Sequence, residues 1–483
     1  MAMFGRRDIF TDDETVDGSN ILDVWRKARI THEINRSEID YLYHYYKGNQ
    51  PILAREKKVR PEINNKVVVN RAAEIVDFKC SYLLGEPAQY VSRGAAEGIT
   101  EKVNRLNSYM LAEDKASADA ELAFWFTVCG VGYRLVLPDE AGEEDEAPFE
   151  LYTLDPRNCF LVKCNAVGNK PVVGFKYVIQ ENGQTVVSAY TPTRYFEIRE
   201  GRVVKDEPHA LGYIPIVEYP ANETRMGAFE PVITLLDALN KMESNRLDGV
   251  EQFIQAIMVF VNCDIDSKEF QELKEQLALK IKSDSGSPAN VYYLNEQLDQ
   301  SQTQTLVDDL YNEVRTIVGL PSQGGESNST SDTGSAVIMR QGWQLAEARA
   351  KQTELMFKKS EKQFLRIVLR ICRDIGGLNL KLSEIEQKFN RRNYADILTK
   401  SQVLTTMLNN PKIDPEDAYA ASGMFTDSVA AYQRGMNWYE KNDTAEVVPV
   451  AQGSQVQRDG DGQIRGGTPV WEEAVPGKRD SPD

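Results

Sequence analysis

Imidazole chemistry is nearly absent from this chain. Its 483 residues hold three histidines, His32, His44 and His209, and none stands at the HExxH spacing that aims two ring nitrogens at one zinc ion. The six cysteines (Cys80, Cys129, Cys159, Cys164, Cys263 and Cys372) are scattered without a CxxC pair. That usage predicts reduced thiols in a cytoplasmic setting. "CGVGYRL" contains G-x-G, but no third glycine follows and the next residues are strand-like, so it reads as a tight helix-to-strand turn. A dinucleotide site would need a helix N-terminus there to face the pyrophosphate. There is no G-x-x-x-x-G-K-[ST] phosphate loop and no G-x-S-x-G elbow, and the Gly-Lys of "PGKRD" lies in the tail. Carboxylates number 73 with glutamate included, so adjacent pairs arise by chance and carry no sign of acid–base chemistry. No enzymatic activity, cofactor or metal is expected.

Charge and hydropathy exclude further classes. Fifty-six basic residues against 73 acidic ones give a formal net charge of −17, the wrong sign for gripping nucleic acid through overall charge. It remains compatible with a surface that DNA must pass without sticking. "MAMFGRRDIF" has no apolar leader core, and "AIMVFV" (256–261) is far short of a spanning helix. The aromatic run "YLYHYY" could stack bases, but no basic groove accompanies it, and helix packing with an interface is the simpler use. Lys268, Lys274, Lys280 and Lys282 interleave with three glutamates in "SKEFQELKEQLALKIKS". They read as a solvated helix face, the alternative being that some point at a passing polyanion.

The elements that would position these residues are legible from periodicity. Residues 1–20 read as a loose polar arm. A helix from Asn20 to Lys47 carries Ile21, Trp25, Ala28, Ile39, Leu42 and Tyr43 near helical spacing, and Gly48, Asn49 and Pro51 stop it. Asn70 is a candidate N-cap for a second helix with Ile75, Phe78 and Leu83 on one face. A third helical stretch covers about 98–129. From there to Tyr219, runs such as "GYRLVL", "FELYTL", "NCFLVK", "VVGFKYVI", "TVVSAYT" and "RYFEIRE" predict strands, with the acidic 139–147 as a hairpin tip. The fold class is therefore α+β.

Pro231 opens a long helix whose apolar stripe runs from Val232 to Ile257, interrupted partway by "ESNRLDG". A strand–helix–strand unit of about 45 residues follows, too small to secure its own core. It is expected to lean on copies of itself or on a partner. A helix over "TQTLVDDLYNEVRTIVGL" returns from it. Then comes "SQGGESNSTSDTG", small and polar, before one long helix from 335 to about 375 with Met339, Trp343, Ala346, Ala350, Phe357, Phe364, Val368, Ile371 and Ile375 in register. Gly376 and Gly377 end it. A strand in "LKLSEIEQKF" and two or three short helices to about 440 follow. From Asn442 onward the composition predicts disorder.

The order of these parts resembles the portal (head-to-tail connector) family of tailed bacteriophages. "YYKGNQPI" followed by "VVVNRAAEIVDFKCSYLLGEPAQY" is similar to that family's amino-terminal signature. "HALGYIPIVEYPANE", with His209, Gly212, Pro215 and Asn222, resembles the strand before its first stem helix, and "LLDALNKMESN" the start of that helix. "GLPSQGG…TGSAVIMR" resembles the tunnel loop and the start of the helix behind it, and "IEQKFNRRNYAD…LTTMLNNPKIDPEDAY" the approach to the crown. The clip-like region and the tail have no matching motif.

The resemblance implies a flexible arm (1–19), a wing (20–225, completed by a long helix and strand over 336–395) and stem helices at 226–258 and 301–320. It also implies a small α/β clip (259–300), a tunnel loop (321–335), a helical crown (396–440) and a disordered tail (441–483). It implies a homo-oligomeric ring, usually of twelve subunits, at one capsid vertex, with double-stranded DNA passing through its channel. The implied partners are the terminase large subunit, a head-completion (adaptor) protein, scaffold and major capsid protein, with no membrane. Lys268, Lys274, Lys280 and Lys282 become candidate clip contacts. Gly324, Gly325, Ser327, Asn328, Ser329, Thr330, Asp332, Thr333 and Gly334 become the loop facing DNA: flexible, wet, and without a strong charge to hold phosphate. The alternatives are another phage structural (minor capsid) protein or, further off, a packaging-motor enzyme.

Overall fold

Short β-branched runs separated by turn residues fold as a meander, and the helices gather around it. The structure, a computed structural model, describes residues 5–93, 98–139, 147–254, 257–261, 290–294, 300–321, 342–389, 397–425 and 427–442. The chain divides into two units, Met1–Ala430 and Ala431–Asp483. The first begins with β1 (Ile9–Thr11), α1 (Ile21–Tyr46), α2 (Arg71–Leu84), β2 (Gln89–Ser92), α3 (Ile99–Ala112) and α4 (Lys115–Cys129). Eight strands follow: β3 (Val131–Pro138), β4 (Phe149–Leu154), β5 (Cys159–Cys164), β6 (Pro171–Ile179), β7 (Thr185–Tyr190), β8 (Arg194–Arg199), β9 (Arg202–Pro208) and β10 (Ile216–Pro220). Then come α5 (Ile233–Ile254), β11 (Ile257–Val261), β12 (Asn290–Leu294), α6 (Gln300–Val318), α7 (Trp343–Asp374) and β13 (Ile385–Lys388). Helices α8 (Ile397–Leu408) and α9 (Pro415–Ser422) precede α10 (Ser428–Asn442), whose residues from Ala431 on lie in the second unit. There α10 leaves Met436, Trp438 and Tyr439 exposed.

One sheet runs β1-β5-β6-β7-β8-β9, parallel only between β1 and β5. A second runs β10-β3-β4, and β2 pairs with β13. The first half of α1 lays Ile21, Val24, Trp25 and Ala28 on Phe160, Phe175 and Tyr177 of the large sheet. Its second half joins α2, α4, α6 and the start of α5 in another core. The long helix α7 buries Phe357, Phe364, Leu365, Val368 and Ile371 against α3, α4 and β10. Gly130 makes the helix-to-strand turn. Its φ of +85° is left-handed, and a Cβ there would sit 2.1 Å from the Arg225 carbonyl oxygen, so only glycine fits.

Several expectations are revised. Residues 5–19 are no loose arm: β1 pairs with β5, and Arg6 is buried with its Nη2 2.8 Å from Glu230 and 3.3 Å from Glu38. The helix expected over 98–129 is two, because Asp114 takes a left-handed φ of 42° between them. Strand β9 was hidden by its charge, since "RVVKDEP" is an exposed edge with almost nothing to bury. Asn70 does not cap α2 with its side chain; the Nδ2 amide donates instead to the Tyr46 carbonyl. Ile375 falls beyond α7 and is exposed.

His32 lies on α1 against this sheet, 1% exposed and stacked 4.3 Å from Phe160. Burial pushes its pKa down from 6.5 to about 4, although the Arg157 carbonyl beside it opposes the shift. A folded pKa below the unfolded one means the unfolded chain takes up the proton first, so stability falls as pH drops from 6.5 toward 4. The expected loss is about 3 kcal/mol across that window. Urea midpoints should therefore fall less steeply with acid in a His32→Gln variant than in the parent.

Candidate functional site

Both segments singled out for function hang on long helices, so the site begins with what fixes those helices. Strands β11 and β12 pair antiparallel, Ile257 opposite Leu294 through Val261 opposite Asn290. They continue α5 on one side and precede α6 on the other, and α5 packs against α6. Leu236 and Leu239 of α5 and Val314 and Val318 of α6 share the core with α1, α2 and α4. Farther along, Leu247, Val250 and Leu306 are exposed. The described residues of α5 and α6 are thus rooted in the body at one end and expose apolar side chains farther along.

The polar run in α5 does not break that helix; it fastens it. Asn240, Ser244 and Asp248 stand four residues apart, on one face, and all are buried. Asn240 Oδ1 accepts from Val69 N at 2.9 Å, Ser244 Oγ from Val67 N at 2.9 Å and Asp248 Oδ1 from Asn65 N at 2.8 Å. The match is metric: four residues of helix rise about 6 Å, and two residues of extended chain about 6.6 Å. Arg55 and Lys57 add ion pairs to Asp248 Oδ2 at 3.0 and 2.9 Å. Burial pushes the Asp248 carboxyl up, but the Asn65 N–H and Lys57 outweigh it and hold the pKa below the usual carboxylate range. Asp248→Ala is expected to cost about 2–3 kcal/mol, read as a lower urea midpoint and faster proteolysis within 55–69.

The two ends of the polar loop are also held. Helix α6 stops at Gly319, whose φ is +75°, and a Cβ there would press to 3.0 Å from Arg349 Cγ of α7. Arg315 Nη2 donates to the Pro321 carbonyl oxygen. Gly342, φ +76°, caps α7, and a Cβ on it would lie 3.8 Å from Pro321 Cα. The chain thus leaves and re-enters the body at adjoining points.

The long helix that follows is locked by a buried charge cluster. Lys115 and Asp119 come from α4, Arg134 from β3, Glu361 from α7, Tyr90 from β2 and Tyr219 from β10. Lys115 Nζ lies 2.6 Å from Asp119 and 2.9 Å from Glu361. Arg134 Nη2 lies 2.5 Å from Asp119. Tyr219 donates to Glu361 Oε2 at 2.7 Å and Tyr90 donates to Oε1. Two cations balance two carboxylates, and the Phe364 ring lies 5.4 Å from Lys115 Nζ and 5.2 Å from the Arg134 guanidinium. Burial pushes the Asp119 carboxyl up, but Lys115 and Arg134 outweigh it and hold the pKa low. Burial, reinforced by Glu361, pushes both phenols well up. These groups tie α7 to α4, β2, β3 and β10.

The tunnel-loop residues Gly324, Gly325, Ser327, Asn328, Ser329, Thr330, Asp332, Thr333 and Gly334 lie outside the described residues. So do Lys268, Lys274, Lys280 and Lys282. Of the "YLYHYY" tyrosines, Tyr45 is buried and stacks on Phe229, Tyr43 and Tyr46 are half-buried with Tyr43 stacked on Trp125, and Tyr41 is exposed. Among the described residues no three His, Cys, Asp or Glu side chains gather as metal ligands, and no helix is long and apolar enough to cross a membrane. Cys80, Cys129, Cys159, Cys164 and Cys372 are free thiols, and burial pushes Cys80 up to about 11 and Cys372 to about 12.

A family model described as "Phage portal protein, SPP1 Gp6-like" matches residues 27–437. The chain belongs to this portal family. The match takes in the α5–β11–β12–α6 hairpin, the loop after it and α7, and the family is structural rather than catalytic. Among solved structures, the portal chain is similar to a chain of the "Virion of native gene transfer agent (GTA) particle". They are 12% identical at TM-score 0.43, over 73% of this chain and 89% of that one. It is also similar to a chain of the "Neck of native GTA particle computed with C12 symmetry", 10% identical at TM-score 0.40, over 73% and 89%. No curated protein matches.

Proposed function

We propose that the chain is the repeating subunit of a portal ring, of about twelve copies, that closes around a DNA channel at one vertex of a phage capsid. The family match over 27–437 carries this reading. DNA enters and leaves through the ring, and the subunit performs no catalysis of its own. Segment 259–300 serves as clip and dock for the terminase large subunit and then for an adaptor protein, with Lys268, Lys274, Lys280 and Lys282 as its candidate contacts. Residues 226–258 and 301–320 are the stem, 321–335 the tunnel loop and 396–440 the crown. Scaffold and major capsid protein surround the wing.

Exposed apolar residues of α5 and α6 support the ring. Leu247, Val250, Leu306 and Ile317 are exposed on two helices that a lone subunit leaves uncovered, and identical neighbours around an axis cover them without leaving an open edge. Helix α6 also exposes Asp308, Asp309 and Glu313. An anionic wall keeps a duplex centred, where basic contacts would add affinity and slow it. Native mass spectrometry of the purified chain tests the reading. A multiple of 54.5 kDa near twelve subunits is expected. A monomer that hydrolyses ATP would point to a motor enzyme instead.

A further inference from the structure

A cleft of about 560 Å³ opens between α2, the end of α4, the loop 221–228 and the first turns of α7. Its walls are mostly apolar, with Phe78, Phe126 and Met356 among them, while two cations, Lys79 and Arg349, reach it from α2 and α7. Glu223 is the one carboxylate among the lining residues, and it pairs with neither. Leu355, also lining the cleft, is 68% exposed.

We propose that this cleft receives a carboxylate side chain from a second copy of this chain, seated between Lys79 and Arg349 in the assembled ring. The inference rests on the ring reading and adds to it a specific socket. A half-buried ammonium is costly unless an anion meets it, and among the described residues none does. Burial, with Arg349 adding repulsion, pushes the Lys79 pKa down from 10.5 to about 8, the mark of an amine still lacking its counter-charge. The apolar walls and exposed Leu355 suit a protein surface better than a hydrated phosphodiester. A second copy is well supplied with the complementary charge, since acidic residues outnumber basic ones 73 to 56.

Zero-length carbodiimide coupling on assembled full-length protein, with 14N- and 15N-labelled subunits mixed before assembly, reads this directly. Mass spectrometry is expected to find Lys79 joined by an amide bond to an Asp or Glu peptide of the other isotope. Lys79→Gln is expected to abolish that link and weaken subunit association on the order of tenfold. A link found only within one isotope would place the carboxylate in the same subunit and overturn the proposal. Rings in which Lys79 forms no link, or is shielded from coupling only when DNA or inorganic phosphate is added, would overturn it too and leave the ring reading standing. A wild-type chain that never assembles would overturn both.

Discussion

Replacing Glu361 with alanine is expected to destabilise the fold by about 3–5 kcal/mol. Glu361 is 1% exposed and takes an ion pair from Lys115 and hydrogen bonds from Tyr90 and Tyr219. Without it, Lys115 and Arg134 become a buried excess of positive charge around Asp119 alone, and two buried phenols lose their acceptor. Removing one partner of a buried ion cluster costs far more than the cluster contributes, because the remaining charges stay desolvated. The melting temperature should fall on the order of 10 °C. Glu361→Gln keeps an acceptor for the phenols and should lose less. A change below about 1 kcal/mol on Glu361→Ala would show that α7 is not held to the body through this cluster.

The second large effect falls on DNA and leaves the fold alone. Pro321 and Gly342 adjoin, so the loop between them spans no distance and can be shortened without pulling on α6 or α7. Deleting residues 324–333 is expected to leave the urea midpoint and assembly unchanged while lowering DNA packaged per particle by about tenfold or more. A plain linker would tolerate the deletion in both assays. Full packaging by the shortened chain would remove the loop from the account of DNA passage.

Most elements were legible because their periodicity was strong. The six strands from "GYRLVL" to "RYFEIRE" and the helix over 21–46 stand where β-branched alternation and the 3.6-residue stripe put them. What pattern reading missed was polar residues serving the core. "ESNRLDG" looked like a break in α5, yet Ser244 and Asp248 are buried because the extended segment 65–69 brings its N–H groups to them. That segment is about 180 residues away in sequence, and no local period can show it. Arg6 was assigned to a loose arm for the same reason, since its partners Glu38 and Glu230 come from other elements.

The charge cluster did leave a trace. Glu361 sits four residues after Phe357 and three before Phe364, a lone carboxylate inside an apolar stripe, and Arg134 stands in the middle of "GYRLVL". A charge on a core-facing position calls for a buried partner of opposite sign, and here each supplies half of the other's answer. The cleft at Lys79 left none, because it exists only where α2, α4 and α7 meet.

Cryo-electron microscopy of the purified full-length chain tests the central claim most directly. The account predicts closed rings of about twelve identical subunits, with α5 and α6 packed between neighbours and an axial opening wide enough for a DNA duplex. Monomers, or closed assemblies with no axial opening, would contradict it.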